Sequence, residues 1–294
     1  MQLRKIARGL RDQTYARLPR RTQNGSSLVL AYHNIVHAAD AGAGDSSLHL
    51  SVESFESQLK VLQQEADVVS LPELLSAHSS PGRRVAVTFD DAYGGCVRNG
   101  LGLCKAYGIK PTVFVAPALL GMFAPWDVRS ARGMWSEKDR MRFLLEEGGI
   151  AADMAAGICE ELPGDYRISG LKELQDAAEH GSADIGNHTM KHVNLAVTDR
   201  ASLIEEVSSA QMFLDTHFAD ASLPLLAYPY GNTPIEAVVP ELLNLVDAAF
   251  LVSGGWMGKN EGRGAGQHLM FKRLNVPAGV SVQGFRARIR GWLL

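Results

Sequence analysis

Beyond residue 25 the chain alternates short apolar or β-branched runs with longer stretches in which apolar residues recur every three or four positions. The short runs, each near a turn or polar stop, predict strands over Leu28–Tyr32, Val85–Phe89, Thr112–Val115, Ala183–Gly186, Leu225–Tyr228, Ala248–Val252 and Phe271–Leu274. The longer stretches predict helices over 53–65, 136–147, 169–180, 199–217 and 281–292. In the fourth, Leu203, Val207, Ala210, Leu214 and Phe218 fall on one face and Asp199 is a natural N-cap. Such alternation is the sign of a parallel sheet wrapped by helices, and seven strands suit an α/β barrel. Segments 38–47 and 253–266, rich in Gly, Ala, Ser and Asn, read as flexible loops above a site. The Gly-x-Gly within Gly262–Gly266 is too weak to imply phosphate binding, and no internal repeat is visible.

Composition narrows the class. A chain of 294 residues, 46% hydrophobic and 21% charged, has material for one sizeable core, expected over residues 26–294. A net charge of -3 excludes a global pull toward nucleic acid. Residues 1–25 form a basic N-terminal tail or helix: up to residue 21, Arg4, Lys5, Arg8, Arg11, Arg17, Arg20 and Arg21 stand against Asp12 alone. This segment could lie on the inner face of an anionic membrane, or be a solvated basic helix or frayed tail outside the core. No apolar leader and no 18-residue apolar run is seen, which places the protein in the cytoplasm, with membrane association through that tail as an option. Cys96, Cys104 and Cys159 form no C-x-x-C pair and read as buried or idle thiols.

Chemistry in a parallel αβ barrel projects from the C-terminal ends of strands. One strand ends in Thr88-Phe89-Asp90-Asp91, another runs into Asn187-His188-Thr189-Met190-Lys191-His192, and a third ends in Pro229-Tyr230-Gly231. His188 and His192, four apart, would share one face of a helical turn within reach of a single metal ion, although such pairs also occur on surfaces without one. Two adjacent carboxylates after a buried strand are costly to desolvate unless a cation compensates; otherwise they form a polar turn. With a metal, one aspartate could ligate while the other acts as base. Thr189 stands where the zinc-protease pattern H-E-x-x-H carries its glutamate base, so the base must come from elsewhere, and Asp90 is the natural candidate.

TFDDAY at 88–93, HTMKH at 188–192 and AYPYG at 227–231 resemble, in order and spacing, the first three motifs of the polysaccharide deacetylase family (the NodB-homology domain, carbohydrate esterase 4). LAYHNI at 30–35 is similar to the opening strand of the branch acting on poly-N-acetylglucosamine-type polymers, and the likeness spans roughly 28–276. The resemblance implies a distorted (β/α)7-type barrel as a single deacetylase domain. It also implies a divalent metal, zinc or similar, on Asp91, His188 and His192, with Asp90 as the base that activates water. The Tyr230 backbone N–H would stabilise the oxyanion, and the implied reaction removes an N-acetyl or related acyl group from an amino sugar.

The chain departs from the family pattern in two places. The third motif usually begins with an arginine that orients the base, and here that position is Ala227; Arg273, near the end of the seventh predicted strand, is the substitute expected from position. The late motifs, an acidic-tryptophan segment and a closing Leu-x-His, are not visible, which leaves His33 and His268 as candidates for the general acid, His33 favoured because it ends the first strand. Trp126 and Trp135 read as core packing or sugar-stacking rings, and Trp292 as part of a docking or membrane-proximal helix. Rival functions are a hydrolase of another C–N bond (formyl sugar or cyclic amide), a non-haem iron oxygenase built on the same ligand types, and an inactive carbohydrate-binding relative.

Overall fold

A computed structural model describes residues 2–21, 25–38, 40, 43–76, 82–131, 133, 162–233, 241–258 and 267–292. In chain order the strands are β1 Ser27–Tyr32, β2 Asn34–Val36, β3 His49–Ser51, β4 Asp67–Val68, β5 Arg84–Phe89, β6 Thr112–Val115, β7 Asp184–Asn187, β8 Ser222–Ala227, β9 Ala248–Phe250 and β10 Arg273–Asn275. The described helices are α1 Gln2–Arg17, α2 Val52–Glu65, α3 Leu71–Ser76, α4 Leu101–Ala106, α5 Pro125–Ala131, α6 Leu171–Glu179, α7 Arg200–Phe218, α8 Leu242–Leu245 and α9 Val282–Ile289. A π turn, Cys96–Gly100, runs straight into α4. The expected helix at 136–147, together with Trp135, Cys159 and residues 259–266 of the second loop, lies outside the described residues.

All strands of the main sheet are parallel, in the order β10-β1-β5-β6-β7-β8-β9. One parallel bridge, Phe250 with Phe271, spans the seam between β9 and β10, so the sheet curls into a nearly closed seven-stranded barrel. β4 takes the part of the β5 edge that β6 leaves open, and β2 pairs with β3 separately. β5 is buried at every position, as a strand covered on both faces must be, which is why it reads as a continuous apolar run rather than an alternating one.

Two sets of apolar side chains follow from that double burial. Leu28, Leu30, Tyr32, Val85, Val87, Phe89, Val113 and Val115 face the surrounding helices, joining Phe55, Leu59 and Leu62 of α2. Val29, Ala86, Phe114, Leu225, Ala227, Ala248 and Phe250 pack together as the barrel interior, with Leu71 and Leu74 of α3. The interior is narrow. A Cβ at Gly186 would meet the Phe114 ring at 2.6 Å, so glycine on β7 is what lets the phenyl group fill the centre.

The helices begin where their caps dictate. Ser51 accepts from Ser54 N, Asp199 from Ala201 N and Ser202 N, and Ser281 from Gly284 N, opening α2, α7 and α9. The basic N-terminal segment forms α1, which packs on α9 with Asp12 and Ala16 buried. Ser281 Oγ donates to Asp12 Oδ2 at 2.7 Å, and Arg290 donates to the carbonyls of Ala16 and Leu18. Glu65, at the end of α2, collects Arg20, Arg286 and Arg290 around one buried carboxylate. Trp292 lies against Tyr15 with ring centroids 5.5 Å apart, docked on the N-terminal segment. No helix among the described residues is long and apolar enough to cross a membrane. Cys96 and Cys104 are buried and free.

Candidate metal centre and its surroundings

The C-terminal ends of β5, β7 and β8 meet at one mouth of the barrel. Asp91, His188 and His192 are all buried there, and one ligand atom from each lies within 4.8 Å of the others. His188 Nε2 is 3.5 Å and His192 Nε2 3.1 Å from Asp91 Oδ1.

The two histidines do not sit on a helix, contrary to the expectation from their spacing of four. Residues 188–192 form an irregular turn in which Thr189 (φ 62°) and His192 (φ 57°) both occupy the left-handed region. Asn187 holds this turn: its Oδ1 accepts from Thr189 N at 2.8 Å while its Nδ2 donates to Val207 O of α7. Glu206 of the same helix accepts from Met190 N through its carbonyl and from Lys191 N through its carboxylate. Asp91 (φ 70°), Ala92 (φ 54°) and Tyr230 (φ 61°) are left-handed as well, so five of the six such non-glycine residues among the described residues surround the site.

Hydrogen bonding fixes the tautomer of His188. Its Nδ1 lies 2.7 Å from Ala227 O, and a carbonyl can only accept, so Nδ1 carries the proton. Nε2 is then a bare lone pair, facing a carboxylate oxygen that is itself buried without a hydrogen-bond partner. Two acceptors facing each other across 3.5 Å call for a cation between them. A tetrahedral ion with bonds of about 2.0 Å sets its donors roughly 3.3 Å apart, which matches the observed spacings, and the N/N/O donor set suits zinc. Burial pushes His188 down to about 4, so it is neutral and able to ligate near pH 7. For Asp91 burial acts the other way, but the His192 and His188 charges outweigh it and hold the carboxyl well below the ordinary range.

Asp90 is held differently. Arg273, fully buried, donates from Nη1 to Asp90 Oδ1 at 2.6 Å and from Nη2 to Oδ2 at 2.8 Å. Its Nε donates to Leu251 O, and Nη1 also reaches Thr88 Oγ1. Arg273 opens β10 instead of closing a strand, and its guanidinium crosses the barrel interior 5.2 Å above the Phe114 ring. Burial alone would raise the Asp90 carboxyl; Arg273, with His188 and His33, outweighs it and keeps the group ionised. Ala227, buried in the same interior, contributes no charge there.

Around this pair the mouth is lined from other elements. His33, directly after β1, is half-buried, and its charge acts on both Asp90 and Asp91. Tyr230 OH lies 3.2 Å from His192 Nδ1. Trp126 lies on His192 with ring centroids 4.9 Å apart and is 7% exposed. His268 belongs to the short turn Gln267–Leu269, whose Leu269 carbonyl accepts from Tyr228 OH.

A profile of the polysaccharide deacetylase family matches residues 77–244, more than half of the chain and including both ligand segments. The chain belongs to the polysaccharide deacetylase family. Solved structures in the family's fold agree. A deacetylase of Streptococcus pyogenes, PplD, in complex with acetate, superimposes with a TM-score of 0.63 at 16% identity, covering 91% of this chain and 99% of that one. IcaB from Ammonifex degensii gives 0.61 at 18%, covering 91% and 98%. A de-N-acetylase from Aggregatibacter actinomycetemcomitans gives 0.60 at 14%, covering 89% and 98%. At these identities the likeness concerns the (β/α) barrel itself. No curated protein matches the sequence.

Sequence reasoning missed Thr88, Asn187 and a buried group formed by Asn34, His49, Tyr93 and Asp127. Apart from the local bond of Asn187 to Thr189 N, they act through contacts between elements separated in the chain, which spacing does not mark.

Proposed function

We propose that this polysaccharide deacetylase family member is a metal-dependent hydrolase that removes an N-acetyl or related acyl group from an amino sugar. The observation that carries the reading is the orphaned Asp91 oxygen beside the bare His188 nitrogen, one residue from a carboxylate clamped by Arg273. Asp91, His188 and His192 would hold the ion, which when bound supplies Lewis acidity toward water and the amide carbonyl. Asp90, kept ionised by Arg273, takes the proton from the attacking water. The Tyr230 backbone N–H donates to the developing oxyanion, and His33 returns a proton to the departing sugar amine. Burial of the three ligands keeps bulk water from competing for the ion.

The Arg273–Asp90 pair bears on the inactive-relative reading. Loss of the base-orienting arginine at Ala227 would favour that reading, and a bidentate guanidinium from another strand removes the reason for it. Hydrolysis of a formyl or cyclic amide uses the same groups, so the released product separates these substrates.

Acetate release from a panel of N-acetylhexosamine glycans and intermediates by zinc-loaded protein tests the proposal. Release that disappears in both Asp90→Asn and His188→Ala is the expected outcome. Stoichiometric zinc without any acyl release would sink it.

A further inference from the structure

Behind the histidines runs a buried chain of side chains that the chemistry above does not use. Asp127 of α5 is fully buried; its Oδ1 accepts from His49 Nε2 at 2.8 Å and Asp45 N at 2.7 Å, and its Oδ2 accepts from Tyr93 OH at 2.6 Å. The Tyr93 oxygen in turn accepts from Trp126 Nε1 at 2.6 Å. On the far side, His49 Nδ1 faces Asn34 Nδ2 at 3.1 Å, and the second Asn34 amide hydrogen goes to Asp165 O at 2.9 Å. An amide NH2 can only donate, so His49 Nδ1 accepts and Nε2 carries the proton given to Asp127. From Asn34 through His49 on one side, and from Trp126 through Tyr93 on the other, the donated hydrogens lead to the one carboxylate of Asp127.

The end of this chain is Trp126, whose ring lies on His192. His192 needs that support more than His188 does. His188 is oriented by a backbone carbonyl at 2.7 Å, whereas His192 has a left-handed backbone and its Nδ1 meets the hydroxyl of Tyr230 at 3.2 Å. The rings of Trp126, His188 and Tyr230 pack around its imidazole with centroids 4.9, 4.8 and 4.8 Å away, while Nε2 points to Asp91. Trp126 is held by a chain that ends on the buried charge of Asp127.

We propose that Asp127, acting through Tyr93 and Trp126, positions His192 as a metal ligand. These are positioning residues: none touches the reacting atoms, and their effect passes through the imidazole. The inference rests on the metal-site reading given above. Support of this kind outside the ligand set typically changes metal affinity about 10–100-fold.

The test is the affinity of the full chain for zinc, measured by competition with a chromophoric chelator, together with the visible spectrum of the cobalt-substituted protein. Tyr93→Phe, which deletes one oxygen, and Asp127→Asn are each expected to weaken zinc binding roughly 10–100-fold and to alter the cobalt spectrum. Trp126→Leu, which removes the ring without touching the carboxylate, is expected to do the same if Asp127→Asn does not fold. Zinc affinity within twofold of wild type and an unchanged cobalt spectrum in folded variants would overturn the proposal, since a structural role alone lowers only the unfolding free energy. Wild-type protein that binds neither ion overturns the metal reading and this inference together; equal affinities overturn this inference alone.

Discussion

Asp90 and Arg273 show how a single buried pair ties protonation to geometry. Burial of the carboxylate favours its neutral form, and the guanidinium fork reverses that preference while fixing the plane of the carboxyl group. The two effects separate by mutation. Arg273→Lys keeps a charge but loses the fork, so kcat/KM should fall about 10–100-fold while the acidic limb of the pH profile stays near its wild-type position. Arg273→Ala removes the charge as well: the Asp90 pKa rises, and the acidic limb moves to higher pH in addition to the loss of rate. Profiles of kcat/KM against pH for the two variants check this, and an unmoved limb in Arg273→Ala would mean that Asp90 is not the titrating base. At this scale the sequence is informative where neighbours in the chain are neighbours in space. Asp90-Asp91 and the His188/His192 pair are legible for that reason. The Arg273 contact, 183 positions away from Asp90, can be expected only from its place near a strand terminus, and the Asp127 chain leaves no local signal at all.

Strands and helices were legible in proportion to their length and apolar continuity. β1, β5 and β6 stand out because burial on both faces demands unbroken apolar runs; β9 and β10, of three residues each, are legible through the apolar residues that flank them, whereas β2, β3 and β4, of three, three and two residues, lack such an extended run. The stretch 96–106 hides its helical character behind Gly95, Gly100 and Gly102, which propensity counts against a helix. Gly95 is there for packing: a Cβ would meet Asn34 Oδ1 at 2.4 Å and Ile35 O at 2.6 Å. The histidine turn was misread because a spacing of four fits a helix as well as it fits a left-handed turn pinned by Asn187 and Glu206. Gly186 on β7 makes the same point in a testable form. Gly186→Ala drives a methyl group into Phe114, the ring beneath Arg273, and should destabilise the protein by about 1–3 kcal/mol in urea unfolding. Unchanged stability would mean that the barrel centre has slack that the 2.6 Å approach does not reveal.

The whole molecule should respond to acid through the same buried groups. In the metal-free fold His188 titrates at about 4 against an ordinary value of 6.5, so between those values the unfolded chain binds the extra proton and stability falls as pH falls. Asp90 and Asp91, both held below the ordinary 3.8, continue the loss at lower pH. The His188 contribution is on the order of 3 kcal/mol, to be seen as a declining unfolding free energy of metal-free protein from pH 7 to 4.5, with a shallower decline in His188→Asn. A flat profile would contradict the burial of a neutral imidazole.

The five left-handed residues around the candidate metal centre have a further consequence. Asp91, Ala92, Thr189, His192 and Tyr230 each adopt a backbone that glycine would adopt without penalty, at a cost of order 1–3 kcal/mol apiece. A lineage, or a laboratory selection, rewarded only for heat tolerance would therefore find its gains in the mouth of the barrel, replacing these side chains one by one. It would end with a hardier barrel stripped of side chains that could hold a metal.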